Sequence, residues 1–573
     1  MYLALCLAVL PQQFPAILWR ARQEPSELQR AFGAVCVSRT DSVEALVASD
    51  IEFLVFNAPG RDDLHLERQH EGWQERRRRW LQSRDPALCR RDPCLAAAGT
   101  LERLRAKLGE SLASRGGDAG LGISLGDEVG LTPGGVPEDV CTCEACEREW
   151  SVAHGRETRP ELPSLRDIGT DATLRAVFEG ELAPSALWLA RREFHQTQML
   201  SVLGQLAQLV RAKGKPVGLL GMSGQSAFGG VAVERILPAL DFLECYRVGN
   251  ARDLAFTLRG PQQRVFLTVF ANDGPSGTAW SVWEHWMHGG DGVFVWSEED
   301  LERAAADSAS LLATLARVRA LPPHRPRPTG IAIAHSGRAV AAGWLRDALV
   351  DGATWPQRFP SWQERHGRVE RARARWFDFA RCAGAMPGAL PIESLAPGDA
   401  ARFPLLVLSE LLVLSSDDLA RLAAYRRAGG TLVIDGEFGW TDGLGHALEG
   451  SARRELLEHG PVFEPPAGLE LRLGGQPITT EQRAWLVERK VELAPLMPAA
   501  EANAAPWLVT WIATNRGARL AFLPSSPASG GTPLRFEPVA NCELHWLHPP
   551  DASGWSTVLA DGEAAVVELA RKP

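Results

Sequence analysis

The 573-residue sequence lacks an excess of basic residues. Lysine and arginine number 61 against 70 acidic residues, so the formal net charge is −9. Proteins that bind nucleic acids usually present a basic patch or stripe. The one dense basic run, Arg76–Arg79 between Trp73 and Trp80, is typical of a solvated helix face. The composition therefore argues against a nucleic-acid partner.

Long apolar segments are also missing, because no stretch reaches the roughly 18 apolar residues of a membrane span. The apolar start, residues 1–16, lacks the basic region and the cleavage site of a secretory signal, and it also suits the lead-in to a first strand. Ten cysteines are too few for a disulfide scaffold in a chain of this length. A reduced, cytoplasmic compartment is favoured, and export stays open.

What the sequence does contain is an alternation of short apolar runs and longer amphipathic segments, which predict strands and helices. The helical spacing is clear in Thr100–Leu112 and Phe194–Lys213. The predicted strands are Ala16–Trp19, Ala34–Val37, Phe53–Phe56, Leu121–Leu125, Val217–Met222, Phe242–Tyr246, Val265–Phe270 and Val293–Trp296. This pattern predicts a (β/α)8 barrel over residues 1–322, with a doubly wound sheet as the alternative.

Two further units are predicted after a Pro-rich linker at residues 321–330. The first is a smaller α/β domain over residues 330–460, with strands at Ile331–Ala334, Leu405–Leu408 and Thr431–Ile434. The second is a small β domain over residues 466–573, with strands at Trp507–Ile512, Arg519–Phe522 and Ala564–Leu569.

The fourth predicted strand ends in a carboxylate pair, Asp127 and Glu128. In a (β/α)8 barrel the carboxyl ends of the strands form the mouth, where the chemistry of this fold takes place. Glycoside cleavage needs a protonated carboxyl group beside the leaving oxygen and a second carboxylate on the other face of the sugar. Glu128 is the candidate general acid. The structural alternative, a cap or a surface charge, is common for a glutamate after a strand.

Three cysteines with the spacing C-x-C-x-x-C follow, namely Cys141, Cys143 and Cys146. Clustered thiolates are typical zinc ligands, and a tetrahedral site needs a fourth. Cys94 is the candidate for that ligand, with Cys89 as the alternative. Four protein ligands leave no open coordination position, so the predicted zinc is structural. Free thiols on an exposed loop are the alternative interpretation.

With these residues the chain resembles the family 42 β-galactosidases, which are (β/α)8-barrel glycosidases. In that family an Asn-Glu pair ends strand four, and a cysteine cluster with one earlier cysteine forms a structural zinc site. Asp127 and Glu128 match the pair, the three clustered cysteines match the cluster, and Cys94 matches the earlier ligand. The resemblance implies that Glu128 is the general acid/base and that the substrate is a glycoside or oligosaccharide.

The resemblance continues in residues 403–445, which are similar to the family's amidotransferase-like domain. An active amidotransferase needs a cysteine nucleophile on a strand-to-helix turn and a histidine partner. The corresponding strand runs into Asp435 and Gly436, and Cys382 falls in a helical pattern. The resemblance therefore implies a non-catalytic domain that mediates homo-oligomer formation, by analogy a trimer.

Two positions depart from the family pattern. Asp127 replaces an asparagine that bonds the sugar 2-hydroxyl, so an acceptor remains and the amide donor is lost. Phe270 stands where the family's nucleophilic glutamate ends strand seven. The candidate replacements are Glu244, near the end of strand six, and Asp273, three residues past strand seven. Glu244 is preferred because a strand holds its residues more rigidly than a loop does.

Candidate sugar-binding residues besides Asp127 are Asn57, Tyr246 and Trp296, each at a predicted strand end, with His285 and His288 as further candidates. Each also suits an ordinary structural position. The sequence thus predicts a β-galactosidase-like glycoside hydrolase without an organic cofactor. The alternative is a silent carbohydrate-binding or scaffold protein that kept the fold and lost the nucleophile. A zinc-dependent hydrolase is disfavoured, because no histidine pair has a metal-binding spacing.

Overall fold

The computed structural model describes residues 14–19, 24–60, 64, 79, 82–83, 94–115, 120–130, 143–154, 183–222, 232–247, 251–303, 305–343, 368–441, 462–466, 469, 478–498, 507–515, 517–526, 532–560 and 563–571. Cys89 and Cys141, two candidate zinc ligands, lie outside these ranges. Within the same ranges, no helix combines the length and the apolar character that a membrane crossing requires.

Eight parallel strands close into a barrel in chain order, with the first strand paired to the eighth. The strands are β1 Ala16–Leu18, β2 Ala34–Val37, β3 Glu52–Val55, β4 Gly122–Asp127, β5 Val217–Met222, β6 Phe242–Cys245, β7 Arg264–Phe270 and β8 Val293–Trp296. The predicted (β/α)8 barrel is confirmed. The doubly wound alternative is wrong, because the sheet has no open edge.

Helices accompany the barrel strands along the chain. They are α1 Glu27–Phe32, α2 Glu44–Ala48, α3 Thr100–Ser114, α4 Glu144–His154, α5 Ala183–Arg211, α6 Val233–Ile236, α7 Ala251–Leu258, α8 Gly274–Met287, α9 Glu298–Arg303 and α10 Ala305–Ala320. The two helices predicted from spacing correspond to α3 and to the second half of α5.

The interior of the barrel is filled by side chains of alternating strand positions. On β6, Phe242 packs with Phe266 and Phe294 inside the barrel, whereas the neighbouring Leu243 belongs to the outer core under the helices. This alternation follows from the two-residue period of a strand. Since an eight-stranded barrel is just wide enough for its own side chains, any reaction site must lie at the rim.

The second unit is a five-stranded parallel sheet with the order β10-β9-β11-β12-β13. Its strands are β9 Ile331–His335, β10 Gly388–Pro391, β11 Leu405–Val413, β12 Thr431–Thr441 and β13 Val462–Phe463, and its helices are α11 Arg368–Cys382, α12 Asp399–Arg402 and α13 Ser416–Arg427. The predicted α/β architecture is confirmed. Cys382 is the last residue of helix α11, in line with its helical pattern in the sequence.

The third unit contains a four-stranded antiparallel sheet, β14-β15-β19-β17, and a two-stranded sheet, β16-β18. The elements are α14 Thr480–Glu488, β14 Trp507–Thr514, β15 Gly517–Pro524, β16 Thr532–Arg535, β17 Cys542–His548, β18 Ser556–Leu559 and β19 Ala565–Arg571. A C-terminal β domain is therefore confirmed. The exact limits of the three units stay predictions.

Buried polar groups of the barrel contact the second and the third unit. Arg381 of α11 forms an ion pair with Asp253 of α7, and the Ala389 N–H donates to Thr257 Oγ1 at 2.9 Å. The Trp280 indole N–H donates to the Pro524 carbonyl at 2.7 Å. Such contacts between buried groups are costly to break without replacement.

Candidate active site

Glu128 follows strand β4 at the mouth of the barrel, and its side chain is exposed. Its backbone has φ +51°, in the left-handed region that residues other than glycine rarely adopt. The Glu128 N–H donates to the Leu220 carbonyl at 3.0 Å, and the Tyr246 hydroxyl donates to Glu128 Oε1 at 2.8 Å. Backbone and side chain are thus both held, while the carboxyl group faces solvent.

Asn57 supports the same strand end from the neighbouring strand. It follows β3, is 5% exposed and has φ +49°. Its Oδ1 accepts a hydrogen bond from the Asp127 N–H at 2.8 Å. Asn57 therefore positions the carboxylate pair through the backbone.

Glu244 lies one residue before the end of β6, and it is 0% exposed. Its Oε2 accepts a hydrogen bond from the Gly221 N–H at 2.5 Å. Burial raises the pKa of Glu244 to about 7, because the charged form loses its hydration, and the nearby Glu128 carboxylate adds to the shift. Near neutral pH this carboxyl group therefore exchanges between its protonated and charged forms.

Gly221 of β5 lies beside Asp127 and Glu128 and is hydrogen-bonded to Glu244. Its φ is +67°, and a methyl group on it would lie 2.6 Å from Asp127 Oδ1 and 2.6 Å from Glu128 Cγ. Its N–H donates to Glu244 Oε2. Only glycine allows this close approach. Gly221 is not among the residues predicted from the sequence, although a glycine inside a strand often marks such an approach.

Tyr246 follows β6 and connects Glu128 to the end of β7. Its ring lies 5.9 Å from the Phe270 ring, centroid to centroid, and its hydroxyl binds Glu128. Burial, together with the carboxylates of Asp127, Glu128 and Glu244, raises the pKa of Tyr246 well above its usual range. The phenol therefore stays protonated and acts as a hydrogen-bond donor.

Trp296 ends β8, and 39% of its surface is exposed. Its ring meets Trp19 edge to face at 5.9 Å, and Trp19 in turn contacts Phe56 at 5.4 Å. These contacts fix the orientation of Trp296 while part of it faces solvent. Such a ring suits stacking on the apolar face of a sugar.

Asp273 has a different environment from Glu244. It is exposed and immediately precedes helix α8. Its carboxylate is close enough to Arg247 to favour the charged form of that guanidinium group. Gly221 is adjacent to Glu128 and hydrogen-bonded to Glu244, and among the described contacts of Gly221 there is none to Asp273.

His285 and His288 do not line the mouth, so their suggested binding roles are wrong. His285 is fully buried, and its Nε2 lies 3.1 Å from the carbonyl of Val265 near the amino end of β7. His288 lies about one turn further along, with Nδ1 2.7 Å from the Glu284 carbonyl. Helix α8 carries both histidines back toward the opposite end of the barrel, a direction that their sequence position before β8 does not reveal.

Three of the predicted cysteine ligands converge in a separate cluster. The sulfur atoms of Cys94, Cys143 and Cys146 all lie within 4.8 Å of one another, and Cys94 Sγ is 3.1 Å from Cys146 Sγ. Cys94 and Cys146 are buried. Because two distant segments bring soft sulfur donors together, the cluster can hold a metal ion.

Comparison with known proteins places this geometry in context. No known sequence family matches the chain, and no curated protein sequence matches it. Among solved structures, a family 42 β-galactosidase from G. stearothermophilus matches 98% of this chain and 99% of its own, with a TM-score of 0.66 and 14% identity. The β-galactosidase from Bacillus circulans sp. alkalophilus matches the same shares with a TM-score of 0.65 and 10% identity.

The chain has the fold of the family 42 β-galactosidases. An alpha-L-fucosidase, isoenzyme 2 from Paenibacillus thiaminolyticus, also shares it, with a TM-score of 0.57 and 12% identity over 98% of this chain and 100% of that one. The neighbours are glycoside hydrolases of differing sugar preference. Their likeness establishes the family 42 fold, whereas the roles of individual residues must be argued from the site itself.

Within the family 42 fold, the titration of Glu244 gives a testable effect on stability. Its folded-state pKa of about 7 lies above the unfolded value of about 4.3, so the native state binds more protons between these values. Its stabilising contribution is complete below the unfolded pKa and is lost as the pH rises through the folded one. Glu244→Gln removes this loss. As the pH is raised from roughly pH 5 to pH 8, we expect the free energy of unfolding of the variant to rise by about 2–3 kcal/mol relative to that of wild type.

Denaturant unfolding of wild type and variant at about pH 5 and about pH 8 measures this gain. Glu110→Gln changes an exposed glutamate and serves as the control, for which no pH-dependent gain is expected. An equal stability difference between Glu244→Gln and wild type at both pH values contradicts the assignment of a buried, protonated carboxyl group.

Proposed function

We propose that the protein is a glycoside hydrolase, β-galactosidase-like, that cleaves terminal sugars from oligosaccharides. The observation that supports this most is that Glu128, exposed just after β4, and Glu244, on β6, both lie next to Gly221. A pair of carboxyl groups is the machinery that glycoside cleavage requires. The glycosidase fold is consistent with it.

In this proposal Glu128 is the general acid/base. Its side chain is exposed at the rim and therefore accessible to a leaving oxygen. The Tyr246 hydroxyl orients it through the bond to Oε1. Glu244 is the second carboxyl group, and Asp273 is the alternative for that role. The separation of the two groups when substrate is bound decides between retention, at about 5–5.5 Å, and inversion, at about 6.5–9.5 Å.

Substrate contacts follow from the residues around this pair. Asp127 offers carboxylate oxygens as acceptors for sugar hydroxyl groups, and Trp296 offers a partly exposed aromatic face. Asn57 contributes by holding Asp127 in place. The second domain would mediate homo-oligomer formation, a trimer by analogy.

A second function is favoured by two observations at the same site. Phe270 occupies the end of β7, and Glu244 is 0% exposed, so neither position offers an accessible nucleophile. Both features fit a silent carbohydrate-binding protein that kept the fold. Such a protein would bind sugars without cleaving them.

One experiment separates the two functions. Wild-type protein is incubated with a panel of aryl glycosides, and the same sugars are tested for binding by calorimetry. We expect turnover of at least one glycoside, with Glu128→Gln as the matched control. Sugar binding without turnover of any glycoside rejects the hydrolase and establishes the silent binding protein.

We also propose that the cysteine cluster holds one structural zinc ion. Cys94, Cys143 and Cys146 would supply thiolates, and Cys141 is the proposed fourth ligand. Soft sulfur donors in a partly buried cluster fit this metal. A zinc ion bound there would pin the segment after β4 and leave the chemistry to the carboxyl groups.

Metal analysis of purified protein is therefore expected to find about one zinc per chain. Cys146→Ser should remove most of it and lower the melting temperature, because metal affinity contributes to folding. Cys542→Ser is the control, since this partly exposed cysteine begins β17 and is not part of the cluster. Zinc retained in full by Cys146→Ser, or no zinc in wild type, contradicts the site.

A further inference from the structure

A cavity lies where the barrel meets the five-stranded sheet, and it has a volume of about 370 Å³. Helices α5 and α6 of the barrel form one wall through Arg192, Glu234 and Arg235. The opposite wall contains Arg338, just after β9, and Glu393, just after β10. Ligands of open parallel sheets bind outside the carboxyl ends of the strands, and the volume suits a small molecule.

The acidic part of the cavity is centred on Glu393. The Ser336 hydroxyl donates to Glu393 Oε1 at 3.1 Å, while Oε2 is buried and has no hydrogen-bond partner among the described residues. Burial raises the pKa of Glu393 to about 7, and the nearby carboxylates of Glu234 and Asp418 add to the shift. A buried acceptor beside further carboxylates favours a ligand that brings a cationic donor.

The basic part of the cavity consists of guanidinium groups. Arg192 is 4% exposed, and Arg338 forms a two-pronged ion pair with Glu193, in which Nε and Nη2 donate at 3.3 and 3.0 Å. Guanidinium groups bind carboxylates with good geometry. The same cavity is thus lined both by a carboxyl group and by guanidinium groups.

Two other ligand classes fit less well. Among the described residues, only the cysteine cluster brings three or more metal-ligating atoms within 4.8 Å of one another, so the carboxylates of this cavity do not form such a group. Sugar sites usually present an aromatic face, whereas the described lining residues include none.

We propose that this cavity binds a free α-amino acid, with the ammonium group at Glu393 and the carboxylate at the arginines. The proposal does not depend on the hydrolase activity of the barrel. Because both the barrel and the second domain line the cavity, the bound amino acid would bridge the two units and stabilise the folded chain.

The test measures binding of individual L-amino acids to the full-length protein by thermal shift and calorimetry. We expect at least one to bind and to raise the melting temperature. Its N-acetyl and its amide derivatives, which each lack one charge, should bind at least about tenfold more weakly. Glu393→Gln and Arg338→Gln should weaken binding of the parent amino acid by a similar factor.

Arg211→Gln is the matched control, because Arg211 also forms a two-pronged ion pair, with Asp241, but does not line the cavity. It should bind the amino acid like wild type. The proposal is overturned if no amino acid binds to wild type. It is also overturned if the derivatives bind wild type, or the amino acid binds the two cavity variants, as tightly as the parent amino acid binds wild type. Binding of D-galactose instead, with a dependence on Glu393, would overturn it as well.

Discussion

Replacing Glu128 by glutamine is expected to slow hydrolysis of glycosides with poor leaving groups by about 10²–10⁴-fold, the usual contribution of a positioned proton donor. Glutamine keeps the size of the side chain and can still accept the Tyr246 hydroxyl bond, but it has no proton to deliver. Activated aryl glycosides should be slowed much less, because a good leaving group departs without protonation.

Steady-state kcat/KM values for a series of aryl glycosides with graded leaving groups measure this difference. Tyr246→Phe is the matched control: it keeps the carboxyl group and removes only the bond that orients it. We expect a smaller loss for Tyr246→Phe than for Glu128→Gln. An equal loss by Glu128→Gln across all leaving groups would argue against proton transfer by this residue.

Replacing Glu244 by alanine is expected to abolish turnover of activated and unactivated substrates alike. In a retaining mechanism the second carboxylate attacks the sugar, and no leaving group compensates for its loss. External azide should restore turnover by attacking from the space that the carboxylate occupied, with a glycosyl azide as the product. Product analysis by mass spectrometry identifies that azide.

Asp273→Ala is the internal control for this prediction. Asp273 is exposed and precedes helix α8, so its loss should leave the fold and most of the activity unchanged if Glu244 is the second carboxyl group. Azide-dependent rescue of Asp273→Ala, with an active Glu244→Ala, would transfer the role to Asp273.

The barrel could be predicted from the sequence because its strands are short apolar runs with clear boundaries. Strands β5 and β8 have the predicted bounds, Val217–Met222 and Val293–Trp296. Pro216 and Gly292 stop the apolar runs on one side, where a strand is easily interrupted. By contrast, β10 is only Gly388–Pro391, and glycine and proline give little strand signal, so it was missed.

The site could be predicted only in part, because its decisive contacts join distant segments. Its position after a predicted strand was enough to predict that Glu128 lies at the mouth of the barrel. The sequence does not show that Gly221 lies next to both Glu128 and Glu244, or that Asn57 accepts a hydrogen bond from the Asp127 N–H. Nor does it reveal which face of β6 points inward, and that orientation buries Glu244 completely.

The most direct test of the central claim, that Glu128 and Glu244 act as one catalytic unit, is a double-mutant cycle on kcat/KM. Glu128→Gln, Glu244→Gln and the combined variant are compared with wild type on one unactivated glycoside. When two residues act together, the first substitution already removes most of their joint contribution to kcat/KM. The double variant should therefore be about as slow as the slower single variant. Losses that multiply in the double variant would contradict a shared catalytic role.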